Sequence, residues 1–96
     1  MNRIKLDEFY KDLTPEYILE KKDELSLIEN LFQLKDYTEL ERKFHKIAGS
    51  GGSFGLPKIS ELAHNLEQKI IQNEHSFLTE LYNEYKNYLL TLEIEF

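Results

Sequence analysis

Apolar residues recur along this chain at intervals of three and four, the spacing of one helical face, and little of it alternates as a strand would. Leu6, Phe9, Tyr10 and Leu13 form a short first stripe. Thr14 followed by Pro15 has the form of an N-cap with proline at the first helical position. From there a helix is expected through Tyr17, Ile18, Leu25, Ile28, Leu31 and Phe32, although its middle (Glu20, Lys21, Lys22, Asp23) is polar. Lys35-Asp36-Tyr37-Thr38 reads as a turn, and Asp36 with Glu39 or Thr38 with Glu41 would each supply a capping box.

A third helix carries Tyr37, Leu40, Phe44 and Ile47 on one face. Pro57 opens a fourth, striped by Ile59, Leu62, Ala63, Leu66 and Ile70. After the polar turn 72–76 a fifth takes Leu78, Leu81, Tyr82, Tyr85, Leu89 and Leu92. Four long amphipathic segments with short connections predict an all-α fold: an antiparallel four-helix bundle preceded by a short N-terminal helix. No internal repeat or boundary divides it, so residues 1–96 are expected to form a single domain.

Composition narrows the function. Acidic residues outnumber basic ones 18 to 12, for a net charge of −6. A nucleic-acid or anionic-membrane binder is expected to be basic, and neither partner is expected here. The chain has no cysteine, which excludes a disulfide scaffold, a thiol nucleophile and Cys-ligated zinc. The N-terminal segment lacks the apolar run of a signal peptide, and no stretch approaches the roughly 18 apolar residues of a membrane span, so the expected compartment is the cytoplasm. Met1 and the short leading helix lead us to expect a free-standing protein, although a cut boundary would look the same.

All four glycines fall in Gly49-Ser50-Gly51-Gly52-Ser53-Phe54-Gly55. Such a run is ordinarily a flexible linker. Here the spacing Leu40, Phe44, Ile47, Gly51, Phe54 is 4, 3, 4, 3, so the stripe of the third helix continues through it. In a helix, Gly49, Gly51 and Gly52 each cost about 1 kcal/mol relative to Ala, and that cost requires a reason for having no side chain. Gly51 lies on the buried stripe, where a neighbouring helix can approach closely. At about 100° per residue, His45 falls outside the stripe, with Ala48, Gly49 and Gly52 as its i+3, i+4 and i+7 neighbours. An imidazole over nearly bare backbone is how space would be cleared for another protein to reach a histidine; the plainer alternative is an exposed histidine beside a linker.

The stretch Phe44-His45-Lys46-Ile47-Ala48-Gly49-Ser50-Gly51-Gly52-Ser53-Phe54-Gly55-Leu56 resembles the signature of the histidine phosphotransfer (HPt) domain family. Its elements are a His, an apolar residue two later, a Gly four later, small residues and a closing apolar-Gly pair. Leu62, Ala63, Leu66 and Glu67 also fit the family's following helix. The resemblance implies a phosphorelay intermediate: His45 would take a phosphoryl group on Nε2 from an aspartyl phosphate of one receiver domain and pass it to another. It also implies no cofactor, no ATP site and no autonomous catalysis, hence no enzyme, because the receiver brings the Mg²⁺ and most catalytic groups. The expected partners are receiver domains of response regulators, a hybrid sensor histidine kinase, or both, met by a monomer.

An unprotonated attacking nitrogen requires the other ring nitrogen to hold the proton, and Glu67, at the border of the fourth helix's stripe, is the candidate acceptor. Glu67 resembles a carboxylate that bonds the phosphorylated histidine in the chemotaxis kinase's phosphotransfer domain, and His64 a second histidine there. Each has a plainer reading as a surface residue. Many family members carry Lys three residues after the His, where this chain has Ala48, so Lys46, Lys43 and Arg42 are the candidates to meet phosphoryl charge. Ala48, Gly49 and Gly52 would form the receiver-docking patch. His75, in a polar turn, is assigned nothing.

Three other readings compete. A helical-bundle docking module would bind a receiver or kinase without phosphoryl chemistry, and Ala48 favours it weakly. In the dimerising hairpin of a sensor kinase the histidine is usually followed by an acidic residue and soon by proline; here Lys46 follows and the next proline is Pro57. His45, His64 and Glu67 offer metal-ligand chemistry but no H-E-x-x-H spacing, so no metal is expected.

Overall fold

The computed structural model describes residues 2–96; Met1 lies outside the described residues, and with it the reading of a free-standing start. In chain order the elements are β1 (Asn2–Lys5), a single 3₁₀ turn (Glu8–Tyr10), α1 (Thr14–Asp23), α2 (Leu25–Gln33), α3 (Tyr37–Ser50), a 3₁₀ turn (Gly51–Phe54), α4 (Pro57–Ile71), α5 (Leu78–Thr91) and β2 (Leu92–Glu95). With α1 and α2 as one bent limb, these make a four-helix bundle about 40 Å long and 20 Å across.

The expected stripes form the core. Ile28 from α2, Leu40 and Phe44 from α3, Ile59 and Leu66 from α4, and Tyr85 and Leu89 from α5 are all fully buried. Burial of a large apolar side chain contributes about 1.5–3 kcal/mol, so this seam is the main stabilising term. The α3–α4 interface is the most extensive, and the candidates His45 and Glu67 lie on its two helices.

Four local expectations are corrected. The limb through residues 14–33 is broken once, at Glu24, where the Glu24 N–H is shared between the carbonyls of Glu20 and Lys22. The polar middle of α1 is partly internal: Lys21 is buried, lies 5.0 Å from the centre of the Tyr17 ring and pairs with Glu24 at 3.1 Å. Thr14 is not an N-cap but the first residue of α1, and its hydroxyl donates to the Phe54 carbonyl at 2.6 Å. At the next start Asp36 is the cap, its carboxylate accepting the Glu39 N–H at 3.2 Å, which decides between the two capping boxes.

The fourth correction concerns the chain ends. The short N-terminal helix is only the 3₁₀ turn, and the residues before it form β1, paired in parallel with β2 so that Ile4 faces Ile94 and Arg3 faces Glu93. The fifth helix therefore ends at Thr91, and Leu92 belongs to the strand. Ile4, Leu92 and Ile94 pack on the bundle, while Arg3 and Glu93 form an exposed ion pair at 3.1 Å. Parallel pairs normally need a covered face, and the bundle end provides it. Leu6 then reaches Gly55, whose φ of +78° ends the second 3₁₀ turn in the left-handed region that glycine enters freely.

Candidate functional site

His45 stands in the middle of α3, one residue past the buried Phe44, with a side chain 75% exposed. Its Nδ1 lies 2.6 Å from Oε2 of Glu67, whose side chain is 10% exposed on α4. Glu67 reaches this position because Leu66 and Ile70 hold its helix face against α3. A carboxylate this buried is costly unless partnered, and an imidazole donating its Nδ1–H answers that requirement. In the tautomer that makes this donation the ring's lone pair is on Nε2. His64, one turn earlier on α4 and more than half exposed, places its Nδ1 3.8 Å from Oε1 of the same carboxylate. One buried carboxylate thus sits between two exposed imidazoles.

The other candidate residues divide. Arg42 lies on the flank nearest His45 and forms an exposed pair with Glu39 at 3.3 Å. Lys46 is exposed and, four residues after Arg42, lies on the same side of His45. Lys43 does not join them: two residues from His45 on a helix is about 200° away, and its ammonium is turned to Glu24, 3.7 Å off. Ala48 is half-buried, packing on the core edge. His75 stacks on Tyr37 with ring centres 3.9 Å apart, in a cleft of about 400 Å³ that shares no lining residue with the His45 site. Among the described residues no three His, Cys, Asp or Glu side chains converge as a set of metal ligands.

The glycine segment remains helical in phase and tightens. α3 runs to Ser50, the Gly51 N–H still reaches back to the Ile47 carbonyl, and residues 51–54 then follow as a 3₁₀ turn. Gly51 is buried, and a Cβ there would lie 2.7 Å from Ser60 Oγ and 2.9 Å from the Ser60 backbone N, so this glycine admits α4. Gly49 and Gly52 differ: a Cβ on Gly49 meets nothing within 4 Å, and one on Gly52 meets only Ser60 Oγ at 3.8 Å. Both are exposed, and no packing among the described residues requires them to be bare. The segment is fastened from α1 as well, where Tyr17 stacks on Phe54 at 4.3 Å and its hydroxyl lies 2.7 Å from that of Ser50. Nothing in the sequence pattern pointed to this fastening, since Thr14, Tyr17, Ser50 and Ser60 each look ordinary in their own helix.

The bundle thus presents an exposed imidazole on a nearly buried carboxylate, beside a strip of helix with little side-chain cover. The family model described as Hpt domain matches residues 12–94, and the chain belongs to that family. Neither the curated proteins nor the solved structures compared with the chain gave a match. Membership assigns the chain to histidine phosphotransfer in phosphorelay signalling, in a family of phosphocarriers rather than enzymes that works with response-regulator receivers and kinases. No helix among the described residues is long and apolar enough to cross a membrane.

Proposed function

We propose that His45 carries the phosphoryl group, on Nε2, between aspartates of receiver domains, and that residues 1–96 act as one such carrier domain. The supporting observation is the 2.6 Å contact between His45 Nδ1 and Glu67, in a ring otherwise open to solvent. In the forward step the Nε2 lone pair attacks phosphorus, the N–P bond forms, and the P–O bond to the aspartyl carboxylate breaks. The carboxylate leaves with the electron pair. The imidazole gains positive charge as its lone pair is used, and the Glu67 carboxylate on Nδ1–H stabilises it. Transfer to a second receiver reverses these steps.

Ala48, Gly49 and Gly52 supply the landing surface, since a receiver must bring its aspartate within bonding distance of Nε2. Lys46 and Arg42, four residues apart on one side of His45, supply charge where the family's usual lysine is replaced by Ala48. His64 is a secondary partner of Glu67. Lys43, engaged with Glu24, is left out of the site. The test is transfer of label from a phosphorylated receiver domain to the wild type and to His45→Gln: the account requires label on the wild type alone. Stable complex formation with no label on either would favour a docking module without phosphoryl chemistry.

A further inference from the structure

The glycine run contains a fastening that the phosphotransfer reading does not use. Where α3 changes from α to 3₁₀ geometry, the Gly52 N–H turns sideways and donates to Ser60 Oγ on α4 at 2.8 Å. Ser60 comes this close because Gly51 has no side chain: a Cβ would meet Ser60 Oγ at 2.7 Å. The two glycines therefore act as a pair, the buried one making room for a hydroxyl that holds the amide of the exposed one. Gly52 is also the only residue of the docking patch whose backbone is tied directly to α4 by a side chain among the described residues.

We infer that Ser60 is a positioning residue for receiver docking, fixing the backbone at Gly52 so that the bare strip keeps one shape; this rests on the reading of that strip as the landing surface. Glycine loses more conformational freedom on ordering than any other residue, and three glycines within residues 49–52 would otherwise leave the strip poorly ordered. A surface shaped before docking loses less on association than one ordered by it. Ser60 acts on the partner's approach rather than on the imidazole, which stands about two helical turns away along α3.

The test compares wild type, Ser60→Ala and Ser60→Thr. Two readouts are taken: hydrogen exchange at the Gly52 amide by NMR, and transfer to an isolated receiver domain from chain labelled directly with phosphoramidate, a small donor that needs no docking. For Ser60→Ala we expect Gly52 exchange to rise on the order of tenfold, with the core amides of Phe44 and Leu66 unchanged. We also expect a several-fold higher KM for the receiver at nearly unchanged kcat and unchanged labelling by phosphoramidate. Ser60→Thr, which keeps the hydroxyl, should return both readouts toward wild type. Faster Gly52 exchange with an unaltered receiver KM would overturn the inference, as would a fall in kcat alone. Failure of phosphoramidate to label His45 in the wild type would instead overturn the carrier reading.

Discussion

Glu67 holds His45 by one ring nitrogen at 2.6 Å and is itself nearly buried, while the imidazole is three-quarters exposed. The buried partner is therefore fixed by the fold and the exposed one is fixed by its partner. Replacing Glu67 with Ala should free the ring, shift its neutral form away from the tautomer protonated on Nδ1, and slow phosphotransfer about tenfold without abolishing it. ¹⁵N chemical shifts of the His45 ring read the tautomer, and single-turnover transfer reads the rate. An unchanged tautomer population and rate would remove Glu67 from the mechanism.

The glycines separate by position. Gly49→Arg and Gly52→Arg place side chains in open space, so helical content and Tm should hold while transfer from a receiver falls at least tenfold. Gly51→Ala should instead lower Tm, with transfer weakened only as far as Ser60 is displaced from the Gly52 amide. Its methyl would press on Ser60 and the Leu56 carbonyl, and overpacking of that kind costs about 1–3 kcal/mol, partly offset by the roughly 1 kcal/mol helix preference of Ala over Gly. Thermal unfolding of the three variants, set against their transfer rates, distinguishes a cleared docking surface from a mere packing requirement.

Much of this was readable from residue spacing. The 4, 3, 4, 3 interval through Gly51 and Phe54 showed that the third helix continues in phase, and the same wheel placed His45, Gly49 and Gly52 outside and Gly51 inside. What spacing could not show was pairing between distant segments. The strands at 2–5 and 92–95 are four residues each, too short for a period of two to stand out, and they exist only because the bundle brings them together. Lys21 reads in the sequence only as part of a polar stretch, because its burial depends on the Tyr17 ring and Glu24. Glu67 was a candidate by its border position, but its contact with His45 depends on the packing of α3 against α4.

Tyr85 and Tyr82 lie side by side in α5's buried face with different polar fates. The Tyr85 hydroxyl is buried without a hydrogen-bond partner among the described residues, whereas that of Tyr82 donates to Glu29 at 2.7 Å. Tyr85→Phe should therefore be neutral or stabilising by up to about 1 kcal/mol, because it removes an unsatisfied polar group at constant shape. Tyr82→Phe should cost about 1 kcal/mol, and urea unfolding of the two variants measures the difference.

Alkaline pH should unfold the protein through the same residues. Burial, as the largest cause, raises the pKa of Tyr17, Tyr82 and Tyr85 above the usual tyrosine value near 10. The unfolded chain ionises at that usual value while the native state keeps these phenols neutral. Stability is thus fully present below about pH 10 and is lost as pH rises through and beyond it. Absorbance near 295 nm should show tyrosinate appearing together with the loss of helical signal, and Tyr85→Phe should make the decline shallower. Ionisation of all tyrosines before any unfolding would contradict the burial seen here.

The central claim is that Nε2 of His45 carries the phosphoryl group. The most direct measurement is to transfer phosphate from a labelled receiver domain to the ¹⁵N-histidine-labelled chain and locate it by ³¹P and ¹⁵N NMR, with His45→Gln in parallel. The account predicts an acid-labile, alkali-stable phosphoryl group on Nε2 of His45, Nδ1 still facing Glu67, and nothing on the variant. Label on Nδ1, on His64 or His75, or on His45→Gln would contradict it.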